Sequence, residues 1–258
     1  MMRPPIALIL LLLGSCTSFG AKIDLGYSEI DSDGALALDT TRTGTPLPLL
    51  DNDLNDDFGL PEKFETPYGR LQLDTGPISY TVSAFSLDDQ GTGRLKADFG
   101  TISAATDIST DLDIKVYKAA MLFDLFDFGA VRVAPGFAAD VLDTTILVSP
   151  LIAPALNEDV DQIVPIPMLF AQAEIDFGIF EVVADAGWLS LDVDQGAIAV
   201  DGSLLDLEAL VRFKPLSNVH LFAGYRYVNF EIEATTNTDN GRLDLVFSGW
   251  MVGAGFSF

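Results

Sequence analysis

The sequence is poor in the two side chains that most often carry reactive chemistry, since its 258 residues include one cysteine, Cys16, and one histidine, His220. A single cysteine excludes any disulfide within the chain. A single histidine leaves little material for acid–base catalysis near neutral pH, where histidine is the usual base. No G-x-S-x-G nucleophile motif accompanies it. The sequence therefore predicts neither an enzyme nor a bound cofactor.

Basic residues are also scarce, because 14 Lys and Arg stand against 38 Asp and Glu, giving a net charge of -24. Binding to nucleic acid phosphates needs a basic face, so a nucleic acid partner is excluded. Attraction of a polybasic segment to anionic lipid is excluded for the same reason. An acidic surface does attract divalent cations, in which the surface of a bacterial outer membrane is rich.

Long hydrophobic runs are missing apart from one near the start, IALILLLL at Ile6–Leu13, which follows Arg3. This run is too short for a transmembrane helix, which needs about 20 apolar residues. It predicts a secretory signal peptide over residues 1–20, with the mature domain at residues 21–258. Since no later segment is a candidate helix, the mature chain could cross a membrane only as β-strands.

Two cleavage points fit the end of this signal. LGSC, residues 13–16, resembles the lipobox of bacterial lipoproteins, which would leave a lipidated Cys16 as the first residue. SFG, residues 18–20, has the small-x-small form that ordinary signal peptidase prefers before Ala21. The sequence leaves both open, and the second would give a mature protein without cysteine.

Alternation of apolar and polar residues recurs over most of the chain, which indicates β-strands. In LLDLEALVRFK, residues 204–214, Leu205, Leu207 and Val211 point one way while Asp206 and Arg212 point the other. The pattern predicts ten strands, near 21–31, 67–75, 77–88, 110–123, 129–143, 166–176, 179–193, 203–214, 218–232 and 243–258. Short turns alternate with long polar connections, as in outer-membrane barrels.

The predicted fold is therefore an all-β, transmembrane, antiparallel up-and-down β-barrel, most simply of ten strands. Residues 35–39 and 94–102 are either two further strands, which would make twelve, or extensions above the membrane. The first strand is the weakest, and losing a strand pair there would leave eight. An even number returns both termini to the periplasm and places the long connections outside the cell, in the bacterial outer membrane.

The distribution of polarity separates a membrane barrel from a secreted β-sandwich, the alternative all-β fold. Aromatic side chains lie on the apolar face near the predicted strand ends, as in interfacial girdles: Trp188, Tyr225, Tyr227, Trp250, Phe256 and Phe258. The opposite face carries charges of both signs at mid-strand: Arg70, Arg132, Glu174, Asp185, Glu208, Arg212 and Arg226. Such a set can pair across a narrow lumen. The alternation in residues 113–123 can be read in two phases, and the favoured one places Lys115 outward at the upper rim and Lys118 inward.

The last residues, WMVGAGFSF, predict the strand that closes the barrel and carries a signal for the barrel assembly machinery. Apolar residues occupy every second position, and the final phenylalanine would lie in the periplasmic aromatic girdle. The residues assigned to this signal are Trp250, Val252, Phe256 and Phe258.

Four segments together resemble a family of small proteobacterial outer-membrane β-barrel proteins of unassigned biochemical function. They are DLNDDFGL (53–60), IPMLFAQAEIDF (166–177), LFAGYRYVNFEIE (221–233) and FSGWMVGAGFSF (247–258). They occur in the order found in that family and cover roughly the whole mature chain. The resemblance implies the fold and the location but no substrate. Cys16 departs from it, because family members are expected to use an ordinary cleavable signal.

The acidic stretch DNDLNDDFGLPE, residues 51–62, is the one candidate metal site. Asp51, Asp53, Asn55 and Glu62 fall at positions 1, 3, 5 and 12 of a calcium loop. Position 6, which needs glycine, is Asp56. The alternative is a solvated acidic loop that gathers divalent ions weakly. His220 is expected inside the lumen near the periplasmic rim, in a structural role.

The bulky inward residues predicted from the pattern, Phe170, Leu210, Phe222, Phe247 and Met251, leave little open lumen. We therefore expect a structural or surface-interaction role for a barrel with acidic extracellular loops. A narrow channel or transporter for a small or apolar solute is the alternative, and a barrel enzyme acting on lipid or peptide is third. The expected partners are outer-membrane lipid, lipopolysaccharide and the assembly machinery, while no oligomeric state is predicted.

Overall fold

The computed structural model of the chain describes residues 19–39, 49–153, 156–194, 198–236 and 240–258. Twelve strands lie in this part of the chain: β1 (Phe19–Asp39), β2 (Asn52–Asp53), β3 (Lys63–Thr75), β4 (Ile78–Arg94), β5 (Asp107–Phe123), β6 (Phe126–Asp127), β7 (Val131–Pro150), β8 (Glu158–Asp176), β9 (Phe180–Asp194), β10 (Ile198–Phe213), β11 (Val219–Thr236) and β12 (Asn240–Ser257). None of the residues described forms a helix of the length and apolarity needed to cross a bilayer.

The ten long strands form one closed antiparallel ring. Each pairs with its neighbour along the chain in the order β1-β3-β4-β5-β7-β8-β9-β10-β11-β12. The ring closes because β12 pairs with β1 from Ser257 opposite Lys22 up to Asn240 opposite Asp39. The two-residue strands β2 and β6 attach to β1 and β7. The predicted up-and-down barrel of ten principal strands is confirmed.

The predicted strand ends are accurate at the short turns and too early at the other end of the barrel. Here the lower end is the one with the short turns, and the upper end is the opposite one. β1 continues to Asp39, so residues 35–39 extend it, and β7 continues to Pro150. Residues 94–102 form no long strand and contain one isolated bridge, Phe99 to Ile102. The predicted long connections were too long because the strands keep pairing above the region in which the outward face is apolar.

The outward surface changes polarity part-way up each long strand. On β5, Met121 and Tyr117 point outward and are 37% and 44% exposed, while Lys118 is buried. Higher on the same strand Asp111 points outward, and Ile108 and Leu112 are buried. The lower half is therefore apolar outside and charged inside, and the upper half is the reverse. The predicted phase of Lys115 and Lys118 is confirmed.

Two connecting segments fold into the top of the ring. Phe58, between β2 and β3, is completely buried, and its ring meets Phe99, between β4 and β5, edge-on at 5.2 Å. The Asn52 side-chain oxygen accepts hydrogen bonds from the backbone N–H groups of Lys96 and Ala97, at 3.0 and 2.8 Å. These contacts join the two segments into one unit, which we call the cap (residues 52–62 and 95–106).

Candidate functional site: a sealed lumen below an apolar chamber

The lower lumen is filled by charged side chains that pair across it. Arg70 of β3 donates to Asp185 of β9 at 2.6 Å and also bonds Glu208 of β10. Lys118 of β5 lies 2.8 Å from Asp206 of β10. All five side chains are 0% exposed. Because the partners lie on strands far apart in the ring, these ion pairs close the lumen rather than line it.

A second layer of ion pairs lies nearer the lower rim. Arg212 joins Asp24 of β1 at 2.7 Å and Glu181 of β9 at 2.5 Å. Lys22 lies 2.9 Å from both Glu174 and Glu181. We call the two layers together the ion-pair plug. Buried charges at such density need partners, because an unpaired charge in a dry interior costs several kcal/mol.

Apolar side chains complete the seal. Phe222, Leu210 and Met251 form a small buried cluster with Tyr68 and Val183. Phe170 and Phe247 are buried higher up. The predicted inward orientation of all five bulky residues is confirmed. The predicted inward charges are also placed correctly, since Arg70, Glu208 and Arg226 are buried and Arg132 and Glu174 are largely covered.

The upper half of the interior holds an apolar cavity of about 230 Å3. Its lining comes from five strands and the cap, and is mostly aliphatic: Leu36, Leu38, Phe99, Leu142, Ile146, Val160, Val164, Ile232, Ala234 and Leu243 are among its residues. Thr144, Gln162 and Arg242 are its polar members. We call this cavity the chamber. It lies above the ion-pair plug and is separated from the lower rim by it.

The exposure of apolar side chains on the outer surface of the lower half decides the fold class. Leu25, Tyr117 and Val211 are 64%, 44% and 47% exposed on strands whose other face carries the buried charges of Asp24, Lys118 and Arg212. A barrel in water would bury these side chains and expose the charges, whereas a barrel in hydrocarbon does the opposite. The chain is a transmembrane β-barrel. Its predicted fold class is confirmed.

No protein-family model matches the sequence, and no curated protein matches it. Solved structures do resemble its fold. One is the outer membrane protease OmpT from Escherichia coli, with a TM-score of 0.49, 10% identity, and coverage of 93% of this chain and 96% of that chain. The outer membrane protein OprG from Pseudomonas aeruginosa resembles it with a TM-score of 0.44 and 10% identity, over 94% of this chain and 97% of that chain. For the attachment invasion locus protein Ail of Yersinia pestis the TM-score is 0.37 and the identity 10%, over 93% of this chain and 99% of that chain.

These structures are small proteobacterial outer-membrane barrels, the class that the sequence resemblance implied. They differ in role, since one is a protease and another an attachment protein. At 10% identity and TM-scores below 0.5 none of those roles is transferred to this barrel. Its fold is established by the closed strand order and the polarity of its two faces.

His220 lies in the lower lumen, where the sequence placed it. Its Nε2 is 2.5 Å from Asp24 Oδ1, and its Nδ1 is 3.3 Å from the Ser257 hydroxyl. A serine, histidine and aspartate in a row also occur in acyl-transfer enzymes, which need free N–H groups beside the serine to hold an oxyanion. Here the N–H groups of Ser257 and Phe258 donate to the carbonyl oxygens of Asn218 and Ala21. The arrangement therefore fits a structural role.

The residues of the predicted calcium loop do not converge. Asp53 accepts hydrogen bonds from the backbone N–H groups of Asn55 and Asp56, at 2.9 and 2.8 Å. The Asn55 amide donates to Leu60 and Pro61, and Asp51 faces Arg242 at 3.4 Å. Within the described ranges no three His, Cys, Asp or Glu side chains are grouped as metal ligands. Calcium binding by Asp51, Asp53, Asn55 and Glu62 stays a prediction.

Asp51 instead belongs to an acidic cleft of about 340 Å3 on the upper surface. The other charged residues around it are Asp201, Glu231, Glu233, Arg242 and Asp244. Partial burial raises the pKa of the Asp244 carboxyl above 3.8, and the neighbouring carboxylates of Glu231, Asp51 and Asp33 raise it further. The upper surface therefore concentrates negative charge, as the predicted acidic loops require.

The four residues of the predicted assembly signal are all exposed, three of them on β12 and Phe258 directly after it. Trp250, Val252, Phe256 and Phe258 are between 53% and 73% exposed. Their recognition by the assembly machinery stays a prediction. Cys16 and the signal peptide lie outside the described residues, except that Phe19 and Gly20 begin β1.

Sequence reasoning missed the chamber. The alternation in the upper strands was visible, but most predicted strands ended before they crossed it. Ile108 and Ile146 are buried and lie in segments treated as polar connections. The sequence does contain a signal that could have revealed them. Along β5 the alternation of apolar and polar residues continues without a break, but the apolar residues change from the outward-facing to the inward-facing positions.

Proposed function

We propose that this protein is an integral outer-membrane barrel that holds a small apolar molecule in its chamber, with its upper half and acidic surface outside the cell. The observation that supports it is the chamber itself, an aliphatic cavity inside a barrel whose membrane half is closed by the ion-pair plug. Apolar lining with few polar groups is typical of sites that bind small hydrophobic ligands.

The size of the chamber limits the ligand. An apolar cavity of about 150 Å3 is large enough to hold benzene, and the chamber measures about 230 Å3. A single aromatic ring with short substituents or a short alkyl chain would fit. Thr144, Gln162 and Arg242 offer at most a few polar contacts at its edge. The chemical class is therefore a small hydrocarbon or a close derivative.

The ion-pair plug argues against a continuous aqueous channel. Lys118 and Arg70 are fully buried at the level of the bilayer, each in an ion pair with a carboxylate on another strand. Moving a solute past them would break these pairs and leave buried charges uncompensated, at a cost of about 3–5 kcal/mol for each pair broken. The chamber is thus a binding site that is closed toward the periplasm.

Benzene is a suitable probe, with the protein in lipid nanodiscs and the methyl groups of Ile, Leu and Val labelled for NMR. We expect saturable shifts of the chamber methyls of Leu36, Ile146 and Leu243. The lower-interior methyls of Val183 and Leu210 should not move, because the plug separates them from the chamber. Methyls that face lipid report benzene dissolved in the bilayer and serve as a baseline.

A matched pair of variants locates the site. Leu142→Phe fills the chamber and should abolish the saturable shifts. Leu207→Phe makes the same change on the lipid-facing surface, where residue 207 is 40% exposed, and should leave them intact. Shifts that rise without saturation, or that survive Leu142→Phe, would show benzene in the bilayer only and would overturn the proposed function.

A surface-interaction role is the second candidate, supported by the acidic cleft around Asp51, Asp201 and Glu231. Divalent cations would link these carboxylates to lipopolysaccharide phosphates. The two roles are compatible, because the cleft is on the outside of the upper barrel and the chamber is within it.

A further inference from the structure

The ladder of paired strands is incomplete at two places in the upper barrel. Between β3 and β4 the pairing ends at Gly69 opposite Ala84, although both strands continue upward. Between β8 and β9 it ends at Leu169 opposite Trp188, although β8 continues through residues 158–168 and β9 through residues 189–194. All of these residues are described, so the two interruptions belong to the barrel wall itself.

The interruption between β3 and β4 is covered. The Ser86 N–H donates to the Thr66 hydroxyl across it at 3.2 Å. The cap lies against β4 so closely that a Cβ placed on Gly91 would come within 2.4 Å of the Gly59 carbonyl oxygen. Glycine is required at such close backbone approaches. This part of the wall is therefore completed by the cap.

The interruption between β8 and β9 has a clear cause in the sequence. Pro165 and Pro167 lie on β8 directly above Leu169. Proline has no N–H to donate, and within sheets it is confined to strand edges. Two prolines two residues apart remove two successive donors from the same side of the strand. β8 stays paired with β7 along its whole length, up to Glu158 opposite Val148, so the unpaired side is the one toward β9.

An apolar cavity of about 120 Å3 lies in this β8–β9 gap, lined by Val164 and Pro167 from β8, Leu189 and Leu191 from β9, and residues of β10 and β11. Leu191 is on the inward phase of β9, as buried Asp185 and Gly187 are, yet it is 40% exposed because β8 does not cover it. Val164 and Ile232 line both this cavity and the chamber. The gap therefore adjoins the chamber.

The outward residues on either side of the gap indicate its position relative to the bilayer. Trp188, 56% exposed, is the last apolar outward residue of β9, and Ser190 and Asp192 follow it. Trp side chains concentrate at the membrane–water interface. On β8 the outward surface stays apolar for longer, through Pro167, Pro165 and Ile163. The gap thus opens at the outer interface of the bilayer, beside an apolar strand edge.

We propose that the β8–β9 gap is a side passage through which a small hydrocarbon moves between the outer interface of the membrane and the chamber. This inference rests on the function proposed above and adds the route. The passage is apolar on both walls, so an apolar molecule crosses it without entering water. The ion-pair plug blocks the axial route to the periplasm, and the cap packs over the top of the ring. The side passage is the remaining apolar route among the residues described.

Covalent closure of the gap tests the route. In a Cys16→Ser background, Pro167→Cys/Ser190→Cys places two thiols on the first outward-facing rung above Leu169 and Trp188, where the strands are unpaired. Ala171→Cys/Ala186→Cys places the same pair on the first outward-facing rung below them, where the register already pairs these positions. Benzene exchange with the chamber is then measured from the methyl signals of Ile146 and Leu243, before and after oxidation.

Oxidation of the upper pair should slow benzene exchange by about tenfold or more, as closing an access route does, and reduction should restore it. Oxidation of the lower pair should change nothing. Leu191→Trp, which fills the gap without a covalent link, should slow exchange in the same way, so the test stands even if the upper pair does not oxidise.

The two proposals fail separately. Saturable benzene shifts with an exchange rate that neither the upper disulfide nor Leu191→Trp alters would overturn the side passage and leave the chamber as a binding site reached through the cap. Absence of saturable shifts in the unmodified protein would overturn the proposed function and the passage with it. Slowing by the lower disulfide as well would show a general stiffening of the barrel, and would also overturn the passage.

Discussion

Two cations of this barrel make the same kind of contact in opposite surroundings. Arg70 bonds Asp185 and Glu208 in the lumen with no exposed surface. Lys63 lies 2.9 and 3.0 Å from Glu29 and Asp31 on the upper surface, where its side chain is 58% exposed. Water and salt screen the second set but not the first. Equal numbers of ion pairs therefore contribute very differently to stability.

Replacing each cation by methionine measures this difference. Arg70→Met leaves the carboxylates of Asp185 and Glu208 buried without their cation and should lower the free energy of unfolding by about 3–5 kcal/mol. Lys63→Met should change it little, because exposed pairs contribute little. The measurement is denaturant unfolding from lipid vesicles, followed by the shift in gel mobility between folded and unfolded barrel. Equal effects of the two substitutions would contradict a dry, sealed lumen.

At the scale of elements, the cap is held by a few buried anchors together with the short pairing of β2 with β1. Phe58 is 0% exposed and Leu54 1%, and Gly59 has a φ of +72° that only glycine adopts without strain. The hydrogen bonds that Asn52 accepts from the N–H groups of Lys96 and Ala97 join the cap segments to each other. The cap thus packs into the upper barrel, while the ring itself closes by the pairing of β12 with β1.

Phe58→Ala should therefore loosen the cap and leave the ring intact. Loss of a fully buried phenylalanine costs about 3–5 kcal/mol, here concentrated in the cap. Amide hydrogen exchange in residues 53–60 should accelerate, while the amides of β1 and β12 keep their protection. Phe128→Ala, which removes a side chain that is 78% exposed in a lower turn, is the control and should change neither. Loss of protection throughout the barrel would show that the cap and the ring unfold as one unit.

The elements that could be predicted from the sequence are those with one apolar and one charged face. In β10 the alternation from Leu204 to Phe213 predicted each side chain's direction correctly, because hydrocarbon outside and charge inside leave one acceptable phase. The partners within the lumen could not be predicted. Arg70 meets Glu208 because β3 and β10 face each other across the closed ring, and that proximity depends on curvature and stagger rather than on local sequence.

The cap and the β8–β9 gap were beyond sequence reasoning for different reasons. The spacing of Asp51, Asp53 and Asn55 suggested metal ligands. It did not predict that Asp53 accepts from backbone N–H groups, that the Asn55 amide donates to backbone carbonyls, or that Asp51 faces Arg242. Pro165 and Pro167 did mark a weakness in a strand. Whether a neighbouring element closes such a place depends on the tertiary structure. Pro67 lies in a stretch of β3 that is also unpaired toward β4, and there the Ser86 N–H donates to the Thr66 hydroxyl across the interruption.

At the scale of the whole molecule, the change of polarity along the strands sets the position of the membrane. Three outward or exposed positions along β5 and the turn below it sample three environments. Asp111 lies on the polar upper surface, Met121 on the apolar belt, and Phe128 in the lower turn. If the upper half is extracellular, these positions meet the medium, the hydrocarbon and the periplasm respectively.

Single cysteines at these positions, in a Cys16→Ser background, report the three environments directly. A membrane-impermeant maleimide added to intact cells should label Asp111→Cys alone. Permeabilising the outer membrane should add Phe128→Cys, while Met121→Cys should react only after the membrane is dissolved, since thiols in hydrocarbon neither ionise nor meet the reagent. Labelling of Phe128→Cys but not Asp111→Cys on intact cells would invert the orientation. Labelling of Met121→Cys in intact membranes would mean that water reaches the apolar belt, which the exposed Tyr80 and Val82 of the neighbouring strand do not allow in a folded barrel.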